Sequence, residues 1–206
     1  MSEHFDAAAK DWDKADYRHE RARLAAKEIL SQLKDPSEMN VLEFGCGTGL
    51  LSFCMNSEFK SVTLLDSSPG MIREVEEKIQ NNGITNCESK CFVLEKSEQL
   101  TIRYDAVYSI LVFHHISDYE KLLALFHHNL AAGGKLFILD LEKEDGSFHR
   151  SNPDFDGHNG FDVSELARKL GDAGFRNVRH KVFYRIRKEI DGEMREYPLF
   201  ILSGEK

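Results

Sequence analysis

Cysteine is scarce and poorly spaced for cross-linking or metal clips. The four at positions 46, 54, 87 and 91 include no Cys-x-x-Cys pair, so neither a zinc ribbon nor a dithiol redox motif is expected. With only four prolines and no repeat or low-complexity tract, the chain has no proline-rich linker. It also lacks a basic excess. Its 27 Lys and Arg face 35 Asp and Glu, a net charge of −8, whereas nonspecific binding to nucleic acid or an anionic membrane wants a basic surface. No apolar run approaches the roughly 18 residues of a membrane-spanning helix, and the charged N-terminus has no apolar signal core, so a cytoplasmic protein is expected. The remaining composition, 41% apolar and 30% charged over 206 residues, is ordinary for a globular chain. Such a length can bury a core without disulfides or metals, and one domain over 1–206 is expected.

What is present is concentrated in Val41–Ser52. An apolar run reaches Glu43 and Phe44, then Gly45, Gly47 and Gly49 alternate with Cys46 and Thr48, and an apolar helical pattern follows. This order predicts a strand, a tight turn and a helix. Glycines there let the main chain approach a ligand closely, because no Cβ intervenes. A dinucleotide fingerprint needs G-x-G-x-x-G with pyrophosphate on the helix N-terminus, but Leu50 stands where its third glycine would fall. No Lys follows Gly49, which removes the phosphate loop of nucleotide hydrolases. The Glu43 carboxylate would repel a phosphate. A nucleoside whose other end is neutral or cationic fits better. A purely structural turn is disfavoured, since three alternating glycines cost backbone entropy in folding.

A second strand, Ser61–Leu65, stops at Asp66, and Ser68 with Pro69 then opens a helix. An acidic residue at that strand tip, about 20 residues beyond the glycine turn, is suited to accept both ribose hydroxyls.

The motifs Glu43–Gly49 and Leu65-Asp66, with Tyr104–Ser109 and Leu130–Ile138, resemble the class I S-adenosylmethionine-dependent methyltransferases of the small-molecule type 11 or 12 kind. Phe5–Asp13 also resembles their N-terminal segment. The family usually writes Lys-Pro-Gly-Gly where this chain has Ala131-Ala132-Gly133-Gly134, a departure at a helix end away from the cofactor. The resemblance implies S-adenosyl-L-methionine held by Glu43, Phe44, Gly45, Cys46, Gly47 and Gly49, by Asp66, Ser67 and Met71, and by Ser109, Ile110 and Leu111. It places adenine contacts near Leu94 and Glu95. It implies methyl transfer to a small-molecule acceptor, and the acidic net charge argues against nucleic acid or membrane as partner. Three rivals stand beside it: a cofactor-binding protein without catalysis, a protein or RNA methyltransferase, and, opposed by Leu50 and Glu43, a nicotinamide-dependent dehydrogenase. The Asn-Pro-Pro-Tyr-like signature of amino-methylating enzymes acting on nucleic acid or protein is replaced by Ser109-Ile110-Leu111.

Hydrophobic periodicity predicts helices over 17–34, 49–56, 69–82, 118–131 and 163–173, alternating with strands over 40–44, 61–65, 89–94, 104–110 and 135–141. A hairpin of strands near 177–187 and 195–203 closes the chain. The second-last helix is expected to stop at Gly133-Gly134. Together these predict an α/β fold: a Rossmann-like, doubly wound, mostly parallel seven-stranded sheet with an antiparallel last strand and helices on both faces.

Two regions remain for the chemistry. His114 and His115, just past the fourth strand, are the obvious general bases there. As metal ligands they lack a third partner at useful spacing, so no metal is expected. Residues 142–161 form a long aperiodic stretch of the kind that usually serves a function. It is expected to overhang the acceptor as a lid, contributing His149 and His158. Residues 1–35 are expected to supply a helical lid from the other side through Trp12 and Tyr17.

Overall fold

The computed structural model describes residues 2–92, 103–150, 152 and 155–206. Its seven strands lie in the order β3-β2-β1-β4-β5-β7-β6, and the expected fold class is borne out. The chain divides into two compact units, Met1–Tyr108 and Ser109–Lys206.

In the first unit, β1 (Asn40–Phe44) pairs in parallel with β2 (Ser61–Asp66) from Asn40 opposite Ser61 to Phe44 opposite Leu65. It pairs on its other edge with β4 (Tyr104–Ile110), Val41 opposite Ala106. β2 carries β3 (Cys87–Cys91) on its outer side. Strand order thus reverses at β1, which makes the crevice beyond its carboxyl end the expected ligand position of an open α/β sheet. Val41, Leu42, Val62 and Leu64 have no accessible surface, as strands covered on both faces should. α1 (Ser2–Ala8) and α2 (Asp16–Leu30) precede the sheet, and α2 buries Ala22, Ala25, Ala26 and Ile29. α3 (Leu50–Phe53) is a single turn. α4 (Pro69–Asn81) begins as predicted, with the Ser68 hydroxyl accepting from Met71 N and proline at its first position. The predicted third strand ran to Leu94, but residues 93–102, with the expected adenine contacts Leu94 and Glu95, lie outside the described residues.

In the second unit, α5 (Tyr119–Asn129) stops before Gly133-Gly134, because β5 (Leu130–Leu141) has already begun. The reason lies at the chain's other end. Gly133 N donates to Lys206 O and Lys206 N to Gly134 O, at 3.1 and 2.9 Å, so the glycines are drawn into sheet pairing. Lys206 also reaches the junction of α5 and β5, its ammonium donating to His128 O and Leu130 O. α6 (Val163–Asp172) starts from Asp162, whose carboxylate accepts from Glu165 N. β6 (Arg176–Ile190) and β7 (Glu193–Glu205) form an antiparallel hairpin, and β7 runs antiparallel to β5. Asp191 and Gly192 both have positive φ, 53° and 81°, as a two-residue hairpin turn of matching twist requires. Both strands exceed their predicted lengths. β6 is a largely exposed edge rich in Arg and Lys, so apolar periodicity could not mark its ends, and its charges discourage edge pairing. Among the described residues no helix is long and apolar enough to cross a membrane.

Candidate functional site

The glycine turn leaves β1 and is tied at once to β2: Gly45 N and Cys46 N both donate to Leu65 O, at 2.7 and 2.9 Å. Gly45, Gly47 and Gly49 have φ of 69°, 54° and 79°, so every second residue occupies the left-handed region that bulky side chains avoid. Asp66, at the tip of β2, locks the turn. One carboxylate oxygen accepts from Gly47 N and the other from Ser68 N, both at 2.8 Å. Each oxygen retains a second acceptor site. Burial raises the Asp66 pKa, against the pull of the Ser68 and Gly47 amides.

The N-terminal segment is fastened over this turn. Asp6 accepts from the Ser68 hydroxyl at 2.5 Å and Gly70 N at 2.6 Å, bonds that lower its pKa. Asp13 accepts from the Thr48 hydroxyl at 2.6 Å and pairs with Lys78. Lys78 also donates to Thr48 O at 2.6 Å. These clamps hold Trp12 where a Cβ added at Gly47 would lie 3.9 Å from its indole nitrogen. Arg18 stacks on the Trp12 ring, 3.7 Å from its centroid. Tyr17 is exposed, beside Arg18 and Arg21.

Several residues expected at the ligand lie beneath the surface. Glu43 has no accessible surface. One carboxyl oxygen meets Ser52 N at 3.1 Å and the Ser52 hydroxyl, which lies 2.8 Å from the Tyr108 hydroxyl. The other has no hydrogen-bond partner among the described residues. Burial pushes the Glu43 pKa up to about 8, although the Ser52 contacts pull it down. That upward shift weakens the charge argument against a phosphate ligand, and glycine spacing carries the larger part of the case. Met71 is 1% exposed in the core. Cys46 is buried too, and that burial raises its thiol pKa well above the usual value, which makes it an inert filler. Phe44 is buried, whereas Ser67 is exposed and Gly45 and Gly47 are partly open.

In the second unit, the segment leaving β4 contains a backbone outlier. Leu111 has φ of 55°, with its N–H donating to Leu139 O at 2.8 Å. A left-handed bulky residue is strained, and such strain concentrates at functional segments. Ser109 is buried, while Ile110 and Leu111 are partly open. A single helical turn then delivers His114 and His115. His114 Nδ1 lies 2.6 Å from Asp140 Oδ1, and both side chains are buried. Asp140 also accepts from His114 N and Leu141 N.

The stretch over 142–161 folds back so that its ends meet, with Glu142 bridging Phe161. His158 N donates to His114 O at 2.7 Å. The two histidines expected together on this loop separate. His149 joins His114 and His115, with ring centroids 5.0 and 5.7 Å away, and stacks on Phe155 at 3.7 Å. Burial and then the neighbouring His114 lower its pKa to about 4. His158 instead bonds Ile116 O and lines a cleft with Tyr119, Phe161 and Glu165. The third histidine that local spacing did not offer thus comes from the far side of β5.

Sequence reasoning missed Asp6, Asp13, Lys78 and Asp140. Only Asp140 left a signal: a lone carboxylate inside an otherwise apolar strand needs a buried partner.

A family model described as a methyltransferase domain matches residues 17–180. An uncharacterized methyltransferase of Schizosaccharomyces pombe is 26% identical over 79% of this chain and 63% of its own length. Malonyl-[acyl-carrier protein] O-methyltransferase 1 of Ilyobacter polytropus is 29% identical over 66% of this chain and 50% of its own. The chain therefore spans about half to three fifths of these relatives. The structure of Haemonchus contortus phosphoethanolamine N-methyltransferase 2 in complex with S-adenosyl-L-methionine superposes with a TM-score of 0.72 at 16% identity. The match covers 89% of this chain and 52% of that one.

Proposed function

The chain belongs to the methyltransferase-domain family, its cofactor is S-adenosyl-L-methionine, and on that premise we propose that it methylates a small-molecule acceptor. In that reaction the acceptor's nucleophilic atom attacks the donor methyl carbon in line. The carbon–sulfur bond breaks, the sulfonium leaves as a neutral thioether, and the acceptor gives up a proton if it carries one. Holding nucleophile, methyl and sulfur in line supplies much of the rate in such a displacement.

The observation that carries the donor half is the bond from Gly47 N to Asp66 at the reversal of the sheet. It leaves acceptor sites on Asp66 for the ribose hydroxyls and opens the main chain of Gly45 and Gly47 to the cofactor under Trp12. Ser109, Ile110 and Leu111 complete the donor side in this reading, and Leu94 and Glu95 the adenine side. For the acceptor, the supporting feature is the His114–Asp140 pair. With Nδ1–H held by Asp140, Nε2 of His114 is free to accept a proton, with His115 and His149 beside it. In the same reading the segments 142–161 and 1–35 each serve as a cover, and Tyr17 and His158 serve acceptor binding. The acidic net charge disfavours nucleic acid as the acceptor, which supports a small molecule.

The test has two stages. Calorimetric titration should show S-adenosylhomocysteine binding and no NAD binding. Labelled methyl from S-adenosylmethionine, offered to fractionated cell extract, should then enter the low-mass fraction. Label confined to protein or RNA would refute the acceptor class.

A further inference from the structure

We infer that His114, His115 and His149 form a binding site for one divalent transition-metal ion, zinc foremost. One ring nitrogen from each lies within 4.8 Å of the others. In a tetrahedral zinc site with bonds of about 2.0–2.1 Å, neighbouring nitrogens stand roughly 3.4 Å apart, so closing the set takes ring rotations of about an ångström. Imidazole donors suit zinc, nickel, cobalt and copper and not magnesium or calcium. Three protein ligands leave a fourth position for an exchangeable one.

Two features distinguish this cluster from aromatic packing. The first is Asp140. Its carboxylate holds His114 Nδ1 at 2.6 Å, which presents Nε2 as the free lone pair. A carboxylate behind a ligating histidine is the usual outer partner at such sites, where it fixes tautomer and ring orientation. The second is His149. Its Nδ1 is buried without a hydrogen-bond partner among the described residues, a deficit that packing alone would not select and that ligation removes. Phe155 secures the arrangement, stacked at 7° on His149 and edge-on to His115 at 5.5 Å. The site lies wholly within the second unit. Its existence is independent of the donor-binding reading, and a metal on His114 Nε2 takes the lone pair that would otherwise serve as the general base, so the bound ion replaces His114 in that role. Only its use would rest on the methyl-transfer reading: an acceptor hydroxyl in the open position would ionise more readily on the metal.

The full chain, stripped with chelator, is titrated with zinc chloride by calorimetry and with cobalt chloride by visible absorption. One equivalent should bind, with a four-coordinate cobalt spectrum. His115→Ala and His149→Ala should each weaken zinc at least tenfold, and Asp140→Asn by about 10- to 100-fold. His128→Ala, on an exposed position of α5, should change nothing. Circular dichroism and S-adenosylhomocysteine affinity are followed in every variant, with His149→Gln as a milder replacement. Absence of saturable zinc binding below millimolar overturns the site, as does equal affinity in folded His115 and His149 variants. If S-adenosylhomocysteine still binds in that case, the donor site stands while the metal site falls.

Discussion

Glu43→Gln should make the protein more stable in alkali while barely changing it in mild acid. Glu43 has no accessible surface, and burial raises its pKa from 4.5 to about 8. Between those values the folded chain holds a proton that the unfolded chain releases. The contribution is therefore complete below about pH 4.5 and is lost as pH rises through about 8. The full span corresponds to on the order of 5 kcal/mol for a shift of this size. Glutamine preserves the acceptor that meets Ser52 N and its hydroxyl. It puts an NH2 where the unpartnered oxygen stands, which costs about what the acid's own unpaired O–H costs, roughly 1–3 kcal/mol. The two proteins should then unfold within about 1 kcal/mol of each other at pH 5.5. By pH 9 the variant should lead by several kcal/mol on the scale set above. Urea unfolding, followed by circular dichroism at pH 5.5, 7 and 9, measures the difference. A gap that stays constant across that range, or a variant unstable at every pH, would refute the assignment and mark Glu43 as an ionised structural anion.

Gly47→Ala and Gly49→Ala should separate binding from folding. A Cβ at Gly47 meets only Trp12 at 3.9 Å, whereas one at Gly49 lands 2.6 Å from the Phe53 ring. Left-handed backbone costs alanine about 1–2 kcal/mol at either position, so the Gly49 variant should show the larger fall in melting temperature. The Gly47 variant should lose S-adenosylhomocysteine affinity with the smaller stability loss. Equal melting temperatures would contradict this. Asp66→Asn has one acceptor where two N–H groups and the ribose need several, so affinity for S-adenosylhomocysteine should drop about 10- to 100-fold by calorimetry, the equivalent of roughly 1.5–3 kcal/mol. Lys78→Ala removes a partly buried pair with Asp13 and the bond to Thr48 O. Limited proteolysis should then cut the first 15 residues faster, and an unchanged cleavage rate would show that the Lys78 clamp does not hold Trp12 in place.

The donor side was legible in the sequence because its constraints are local. Three alternating glycines and an acid at a strand tip are backbone requirements written into short segments, and the structure gives each glycine the positive φ that explains it. Parallel-strand alternation was legible for the same reason. Boundaries failed where local pattern was overridden. Gly133-Gly134 looks like a helix stop until Lys206 pairs with it across the sheet, and the charged face of β6 conceals a long strand. The charge argument from Glu43 took no account of burial, because nothing in its neighbours along the chain says that it has no accessible surface.

The histidine cluster was illegible for a deeper reason. Its members meet through contacts between distant segments: Asp140 reaches His114 from the next strand, and His149 arrives on a loop beyond it. Yet the closure that brings them together is itself encoded in backbone terms. A Cβ at Gly157 would lie 2.2 Å from His114 O, and one at Gly160 would lie 2.2 Å from Glu142 O. Neither oxygen can yield, since each belongs to main chain already held by hydrogen bonds. Glycine at 157 lets the loop lie directly on the histidine turn, glycine at 160 lets it close on the end of β5, and His158 N then secures it to that same His114 carbonyl. The glycines flanking His158 therefore do for the histidine side what Gly45–Gly49 do for the donor side. The difference is that their partner is the chain's own main chain, so no ligand spacing betrays them.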